Sequence, residues 1–188
     1  MGNNFATPDM KLTYTAEQIK SRTAELAKEI NEWMNFTLDP KREQLLAVCV
    51  LRGGVFFFSD LLRELDQSVD PVFCRAESYP AETLPVQGKG VKVSVDEVKP
   101  AGRNVLIVDD ICDTGLTLLK LHNLFLELGA KSVRSCVLVH REGASSKYEP
   151  AWHAFTYTGP EWFVGYGFDN GNDRYRNLPD VYVVPPRR

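Results

Sequence analysis

Three carboxylates and a glycine turn follow an apolar run in the middle of the chain. Val105–Val108 leads into Asp109 and Asp110, then comes Asp113, and then the segment Thr114-Gly115-Leu116-Thr117. Backbone N–H groups at the start of a helix favour a phosphate, and hydroxyls and a glycine let it approach closely. Carboxylates beside such a loop can hold sugar hydroxyls or a divalent cation. Alternatively, the three acids could be loop residues whose negative charge stabilises the N-terminus of the following helix. A helix N-terminus that binds no ligand, however, requires neither three acids nor a glycine turn.

Strands and helices alternate through the middle of the chain. Continuous apolar runs predict strands that are buried on both faces, and apolar residues at helical spacing follow them. The predicted strands are 45–51, 72–77, 105–108 and 133–139, and the predicted helices are 15–34, 55–65 and 114–128. Thr15 and Gln18 have the spacing of a capping box. This order predicts an α/β fold with a doubly wound, mostly parallel sheet, in which ligands bind at the carboxyl ends of the strands.

Composition excludes several classes of protein. The chain has 188 residues, of which 44% are hydrophobic and 25% charged, with a net charge of −3. We expect one domain without a nucleic-acid partner, since no basic stripe is present. The absence of a signal peptide or a membrane-length apolar run favours a cytoplasmic protein with no membrane contact. Four cysteines without CxxC spacing argue against zinc binding and a disulfide framework.

The acid-rich segment resembles the phosphoribosyl-pyrophosphate motif of type I phosphoribosyltransferases. The apolar run, the acid pair, the third acid and the Thr-Gly-x-Thr loop all match. The resemblance implies that Asp109 and Asp110 engage the ribose hydroxyls, directly or through Mg²⁺. It also implies that residues 113–117 hold the 5′-phosphate, and that Asp113 faces purine N7 as a general acid or base.

Further stretches resemble the hypoxanthine-guanine members of that group. Arg52-Gly53 follows a predicted strand, as does that family's pyrophosphate loop, although an ordinary turn has the same residues. Ser78-Tyr79 opens a segment, 78–92, rich in proline and glycine. It matches the family's active-site lid and would be a mobile loop, although a plain surface loop is an alternative.

The last third of the chain carries the rest of the resemblance. Trp162 and Phe163 match the segment that binds the base, Asp169 matches a second acid near magnesium, and Arg176 matches an arginine that meets pyrophosphate. An aromatic core cluster and a solvated arginine are the alternatives for Trp162 and Arg176. In the family a lysine that donates to the purine 6-oxo group ends the strand after the motif helix. Here His140 is expected at that place, and Arg141 is the alternative donor.

The resemblance covers about residues 12–184 and implies a single phosphoribosyltransferase domain over residues 1–188. Its core would span about 40–150, and the N-terminal helix and about 151–188 would form a base-binding hood. The implied reaction moves 5-phosphoribosyl from phosphoribosyl pyrophosphate to N9 of a 6-oxopurine, hypoxanthine or guanine, in a homo-oligomer, a dimer or a tetramer. A different base preference, such as xanthine, and a non-catalytic regulator that binds phosphoribosyl pyrophosphate are the alternatives.

Overall fold

The computed structural model describes residues 9–78, 91–95, 98–143, 146–169, 171 and 174–186, which form two β-sheets and three α-helices. The elements in chain order are β1 Lys11–Tyr14, α1 Ala16–Thr37, β2 Leu45–Leu51, α2 Val55–Arg63, β3 Val69–Ser78, β4 Val91–Ser94, β5 Asn104–Cys112, α3 Leu116–Glu127, β6 Ser132–Arg141, β7 Trp152–Tyr157, β8 Trp162–Val164 and β9 Val181–Val184.

The larger sheet has the strand order β4-β3-β2-β5-β6-β7. Strands β3, β2, β5, β6 and β7 run parallel, and β4 pairs antiparallel with β3 at the edge. This arrangement confirms the predicted mostly parallel sheet. Parallel pairing brings the carboxyl ends of β2, β5 and β6 to one edge, where the predicted site residues follow the strands.

Helices cover both faces of this sheet. The side chains of β2 alternate between two apolar clusters, one containing residues of α1 and α2 and the other containing residues of α3. Strands buried on both faces are apolar without interruption, which explains the run Leu45–Leu51. The two-sided cover makes the sheet doubly wound, as the sequence predicts.

A smaller sheet, ordered β1-β9-β8, joins strands from both ends of the chain. Strand β9 pairs antiparallel with both of its neighbours. Helix α1 contacts α2 and β7, which places it against the larger sheet. The division into a core of about 40–150 and a hood that includes the N-terminal helix stays a prediction.

Local sequence signals explain where the elements begin and end. Helix α1 follows the capping box of Thr15 and Gln18 and runs three residues beyond its predicted end, to Thr37. Strand β5 continues past Val108 through both acids to Cys112, because β6 pairs with it that far.

All four cysteines are buried and free of disulfides. Burial raises the pKa of Cys112 to about 12, so its thiol stays protonated at neutral pH.

Within the described residues, no helix is both long enough and apolar enough to span a bilayer.

Candidate functional site

A cleft with a volume of about 270 Å³ lies at the carboxyl ends of β5 and β6, facing the smaller sheet. Acidic, basic and aromatic side chains meet in it. The residues that line it are Gly53, Asp110, Ile111, Asp113, Arg141, Trp162, Phe163, Phe168, Asp169 and Arg176. Seven of these were predicted as site residues from the sequence, and they come from four separate segments of the chain.

The acid pair at the end of β5 forms the floor of the cleft. Asp110 lines the cleft, whereas Asp109 is buried below it and its Oδ1 accepts the Asp110 N–H at 2.8 Å. Desolvation raises the pKa of both carboxyls, and the neighbouring Asp110 raises that of Asp109 further. The positive charge of Arg176 lowers the pKa of Asp110. A carboxylate pair that is so poorly compensated favours a bound cation.

The glycine turn after β2 packs against this acid pair. A Cβ on Gly53 would lie 1.9 Å from Oδ2 of Asp110, and one on Gly167 would lie 2.0 Å from the Gly53 carbonyl oxygen. Gly167 meets backbone and has φ +104°, so glycine is required there, whereas a side chain at position 53 would displace the Asp110 carboxylate. Arg52, the other predicted residue of this loop, is exposed, and its peptide bond to Leu51 is cis.

Asp113 and Arg141 form an ion pair at one side of the cleft. The Asp113 side chain is 57% exposed, and its Oδ1 lies 3.1 Å from Nε of Arg141. Arg141 also donates to the carbonyl oxygens of Gly159 and Glu161, the latter at 2.8 Å. A guanidinium has five N–H groups, so three contacts leave two of them for a ligand.

His140, the predicted donor to the base, does not line the cleft in this structure. Successive side chains of a strand point to opposite faces, and here Arg141 lines the cleft while His140 is buried against Glu149 and His153. The strand extends two residues beyond its predicted end, Val139, and Arg141, its last residue, is the one that lines the cleft. The alternative donor, Arg141, is the one that the structure brings to Asp113.

Aromatic side chains also line the cleft. Trp162 is 48% exposed, and its indole N–H donates to the Asp169 carbonyl oxygen at 2.8 Å. Phe163 and Phe168 are buried behind it with ring centroids 5.2 Å apart. The Arg141 guanidinium lies 5.1 Å from the Phe163 ring centroid. An exposed, oriented indole beside a buried aromatic pair can stack on a planar ligand.

Arg176 and Asp169 close the end of the cleft near the acid pair. Arg176 donates to Oδ2 of Asp169 and to the Gly167 carbonyl oxygen, each at 2.5 Å. Asp169 also accepts the Gly171 N–H at 2.9 Å. Arg176 is thereby held beside Asp110, where its charge can meet an anionic ligand.

The predicted phosphate loop leads from the cleft to helix α3. Asp113 and Thr114 are exposed, and Gly115 is the N-cap in the left-handed conformation, with φ +73°. Leu116 and Thr117 begin the helix, two residues later than predicted. Among the described residues no side chain caps α3 with a hydrogen bond, so its first N–H groups lack the partner that a capping residue supplies.

The predicted lid lies mostly outside the described residues. Ser78 ends β3, where its backbone pairs with Val91 of β4, and Tyr79 belongs to the part that is not described. The ends of the predicted loop are therefore strand residues. The lid role of Ser78 and Tyr79 stays a prediction.

Two residues that line the cleft, Ile111 and Phe168, had no signal as site residues in the sequence. Each belongs to an apolar or aromatic run that also fits a core position. Their neighbours in the motif, Asp110 and Asp169, were the available clue.

Comparison with known proteins agrees with this geometry. A family model described as a phosphoribosyl transferase domain matches residues 15–170. The hypoxanthine-guanine phosphoribosyltransferase of Aquifex aeolicus is 35% identical over 183 residues, covering 93% of this chain and 94% of its own. The hypoxanthine-guanine-xanthine phosphoribosyltransferase of Tritrichomonas foetus is 31% identical, covering 93% and 91%.

A solved structure shows the same relation. The hypoxanthine phosphoribosyltransferase of Trypanosoma cruzi in complex with the product IMP aligns with a TM-score of 0.83 at 30% identity. The alignment covers 99% of this chain and 98% of that one.

Proposed function

The chain belongs to the phosphoribosyl transferase family, and on this premise we propose that it transfers 5-phosphoribosyl from phosphoribosyl pyrophosphate to N9 of a 6-oxopurine. The products are a purine nucleoside monophosphate, IMP or GMP, and pyrophosphate, which places the enzyme in purine salvage. The observation that carries the proposal is one cleft that holds Asp110 with the nearby Arg176 and an aromatic wall beside Asp113 and Arg141. The N-terminus of α3 follows Asp113 in the chain by two residues.

The phosphate groups are assigned by charge. The 5′-phosphate binds at the N-terminus of α3, where Gly115 allows close approach and the Thr114 and Thr117 hydroxyls can donate. Pyrophosphate binds near Arg176 and the backbone of the Arg52-Gly53 turn. The ribose then lies between these two groups, above Asp110 and Asp109.

A magnesium ion fits the acidic end of the cleft. Asp110 and Asp169 both line it, and Asp109 lies directly below. Oxygen ligands are those that Mg²⁺ prefers. Burial raises the pKa of both acids, and a bound cation would stabilise their charged forms. When bound, the ion would neutralise the charge that develops on the leaving pyrophosphate.

The base lies between the aromatic wall and the ion pair. Trp162 stacks on the purine, and the backbone near Phe163 meets its edge. Arg141 donates to the 6-oxo oxygen through the N–H groups that its carbonyl and Asp113 contacts leave available. An adenine would present N–H hydrogens at that position, so Arg141 favours oxopurines.

The reaction exchanges one bond at C1′ for another. The bond from C1′ to the pyrophosphate oxygen breaks, the bond from purine N9 to C1′ forms, and the electron pair leaves with pyrophosphate. Asp113 lies beside the base and takes the proton from purine N7 as positive charge passes into the ring. Arg141 holds the Asp113 carboxylate in place through its Nε contact at 3.1 Å. A positioned acid-base group contributes about 10²–10⁴ in rate.

A turnover assay with a panel of bases tests the proposal. We expect magnesium-dependent release of pyrophosphate from phosphoribosyl pyrophosphate with hypoxanthine or guanine, and much slower release with adenine or uracil. Xanthine belongs in the panel, because its 6-oxo group meets the same arginine. No release with any oxopurine, despite measurable binding of phosphoribosyl pyrophosphate, would identify a binding protein and contradict the proposal.

A further inference from the structure

A second cluster of metal-ligating side chains lies away from the cleft. His140 is the second-to-last residue of β6, His153 lies on β7, and Glu149 lies in the segment that connects the two strands. One ligand atom from each residue can be chosen so that all three lie within 4.8 Å of one another. The three residues come together because β7 pairs with β6, and the proposed function uses none of them.

The buried imidazole of His140 is the observation that points to a ligand. Its side chain is 3% exposed, and within the described part of the chain neither ring nitrogen has a hydrogen-bond partner. Buried polar groups are nearly always paired, and an unpaired one is costly. A metal ion would take the lone pair of one ring nitrogen directly.

Distances within the cluster fit a small transition-metal ion. Ligands at about 2.0–2.1 Å from a tetrahedral ion lie about 3.3 Å from each other. Nδ1 of His140 and Oε1 of Glu149 are 3.6 Å apart, and the two imidazole rings are 5.2 Å apart between centroids. Glu149 has a side chain that is 76% exposed, so it can rotate to shorten the remaining distances.

Neighbouring groups can orient a metal ligand and leave one position for water. Nε2 of His153 lies 3.1 Å from Oγ1 of Thr156, a contact that orients the ring. The exposed side, where Glu149 lies, leaves room for water. Two imidazoles and one carboxylate with a water molecule form a ligand set that zinc accepts.

We propose that His140, Glu149 and His153 bind one divalent transition-metal ion of the zinc class, with water as the fourth ligand. Imidazole nitrogen selects such an ion over magnesium, so the site is chemically distinct from the carboxylates of the cleft. The ion would tie the end of β6 to β7 and to the segment between them. Arg141 is the next residue along β6, so the ion would also steady the residue that faces the cleft.

Metal titration of the full chain tests this proposal. The protein is titrated with Zn²⁺ or Co²⁺, and binding is followed by calorimetry and by absorption spectroscopy. A large excess of Mg²⁺ is present to occupy the cleft. We expect one equivalent of either ion to bind, and Co²⁺ to show the visible bands of a four-coordinate site with nitrogen and oxygen ligands. Failure to saturate at one equivalent, or a thiolate charge-transfer band, would overturn the proposal.

Variants locate the ion. Glu149→Gln changes an exposed residue and should weaken Zn²⁺ at least about 10-fold, since even groups outside the ligand shell contribute 10–100-fold. His153→Gln and His140→Gln should do the same. The chain has three histidines, so His122→Gln is the matched control and should leave the affinity unchanged. If Zn²⁺ affinity follows His122, or none of the cluster residues, the ion binds elsewhere and the assignment is wrong.

Discussion

Helices α1 and α3 differ in what their first turns contact. At α1, Oγ1 of Thr15 accepts the Gln18 N–H at 3.2 Å, and Oε1 of Gln18 accepts the Thr15 N–H at 2.9 Å. Asp180 accepts the Ala16 N–H at 2.8 Å. At α3 the N-cap is Gly115, and no described side chain caps the helix. The first N-terminus satisfies its own N–H groups, and the second leaves them for a ligand.

The two helices also differ in the charge of their first turns. The first turn of α1 contains Glu17, which stabilises the positive end of the helix dipole, whereas the first turn of α3 contains no acid. The acids near α3 precede the helix on β5 and in the loop, where they face the cleft. Under the proposed function, α1 contributes to stability and α3 binds the phosphate. Changes at α3 and its loop should therefore affect catalysis, and changes at α1 should affect only stability.

Asp113→Asn should have the largest effect, because it keeps the shape of the loop before α3 and removes the base. We expect kcat to fall about 10²–10⁴-fold, while the affinity for phosphoribosyl pyrophosphate stays close to that of the wild type. Steady-state kinetics with hypoxanthine, combined with calorimetric titration of phosphoribosyl pyrophosphate, separates the two quantities. Equal turnover in the variant would remove Asp113 from acid-base chemistry.

Arg141→Ala should have the next largest effect, on the base alone. Leaving the 6-oxo group unpaired costs about 1–3 kcal/mol, which is about a 5- to 150-fold loss in kcat/KM for oxopurines. Arg63→Ala, at the exposed end of α2, is the control. A loss with His140→Gln that exceeds the loss with Arg141→Ala would return the base contact to His140.

The fluorescence of Trp162 can report ligand binding in the cleft. The chain has three tryptophans, and Trp33 and Trp152 pack against each other, outside the cleft. Binding of IMP or GMP should change tryptophan emission, and Trp162→Phe should abolish most of that change while activity persists, because a phenyl ring still stacks. Trp152→Phe should keep the signal. A signal that disappears with Trp152 instead would misplace the base.

Thr15→Ala should have the smallest effect on function. Loss of the N-cap hydroxyl should lower the free energy of unfolding by about 1 kcal/mol, which corresponds to a fall of about 2–4 °C in Tm for a chain of this size. Turnover measured well below Tm should match the wild type. Thr158→Ala, an exposed threonine after β7, is the control. A loss of turnover at unchanged stability would break the comparison between the two helices.

The same contrast explains what the sequence could predict. The capping box at Thr15 and the apolar run Leu45–Leu51 follow from local chemistry, and both are confirmed. The acid-rich loop before α3 carries several constraints in a short segment, so its place at a strand end could be predicted as well. These features depend on neighbours in the sequence.

Features that depend on the exact end of a strand could not be predicted. Strand β6 runs to Arg141, and a difference of one residue decides whether His140 or Arg141 faces the cleft. The buried cluster of His140, Glu149 and His153 depends on the pairing of β7 with β6, which no local pattern reveals. The place of Phe168 in the cleft could not be predicted either, because it depends on how the last third of the chain folds.

The preference of the protein for IMP over inosine tests the central claim most directly, because these ligands differ only in the 5′-phosphate. Two or three charge-assisted hydrogen bonds at the N-terminus of α3 should make IMP bind at least about 100-fold more tightly than inosine. Gly115→Ala should remove most of this preference, since φ is +73° there and a Cβ would lie 2.7 Å from Cβ of Tyr148. Thr117→Val, which keeps the shape of the side chain, should reduce the preference without disturbing the fold, and Thr15→Ala should preserve it. A wild-type protein that binds inosine as tightly as IMP, or a preference that survives in both α3 variants, would contradict the account.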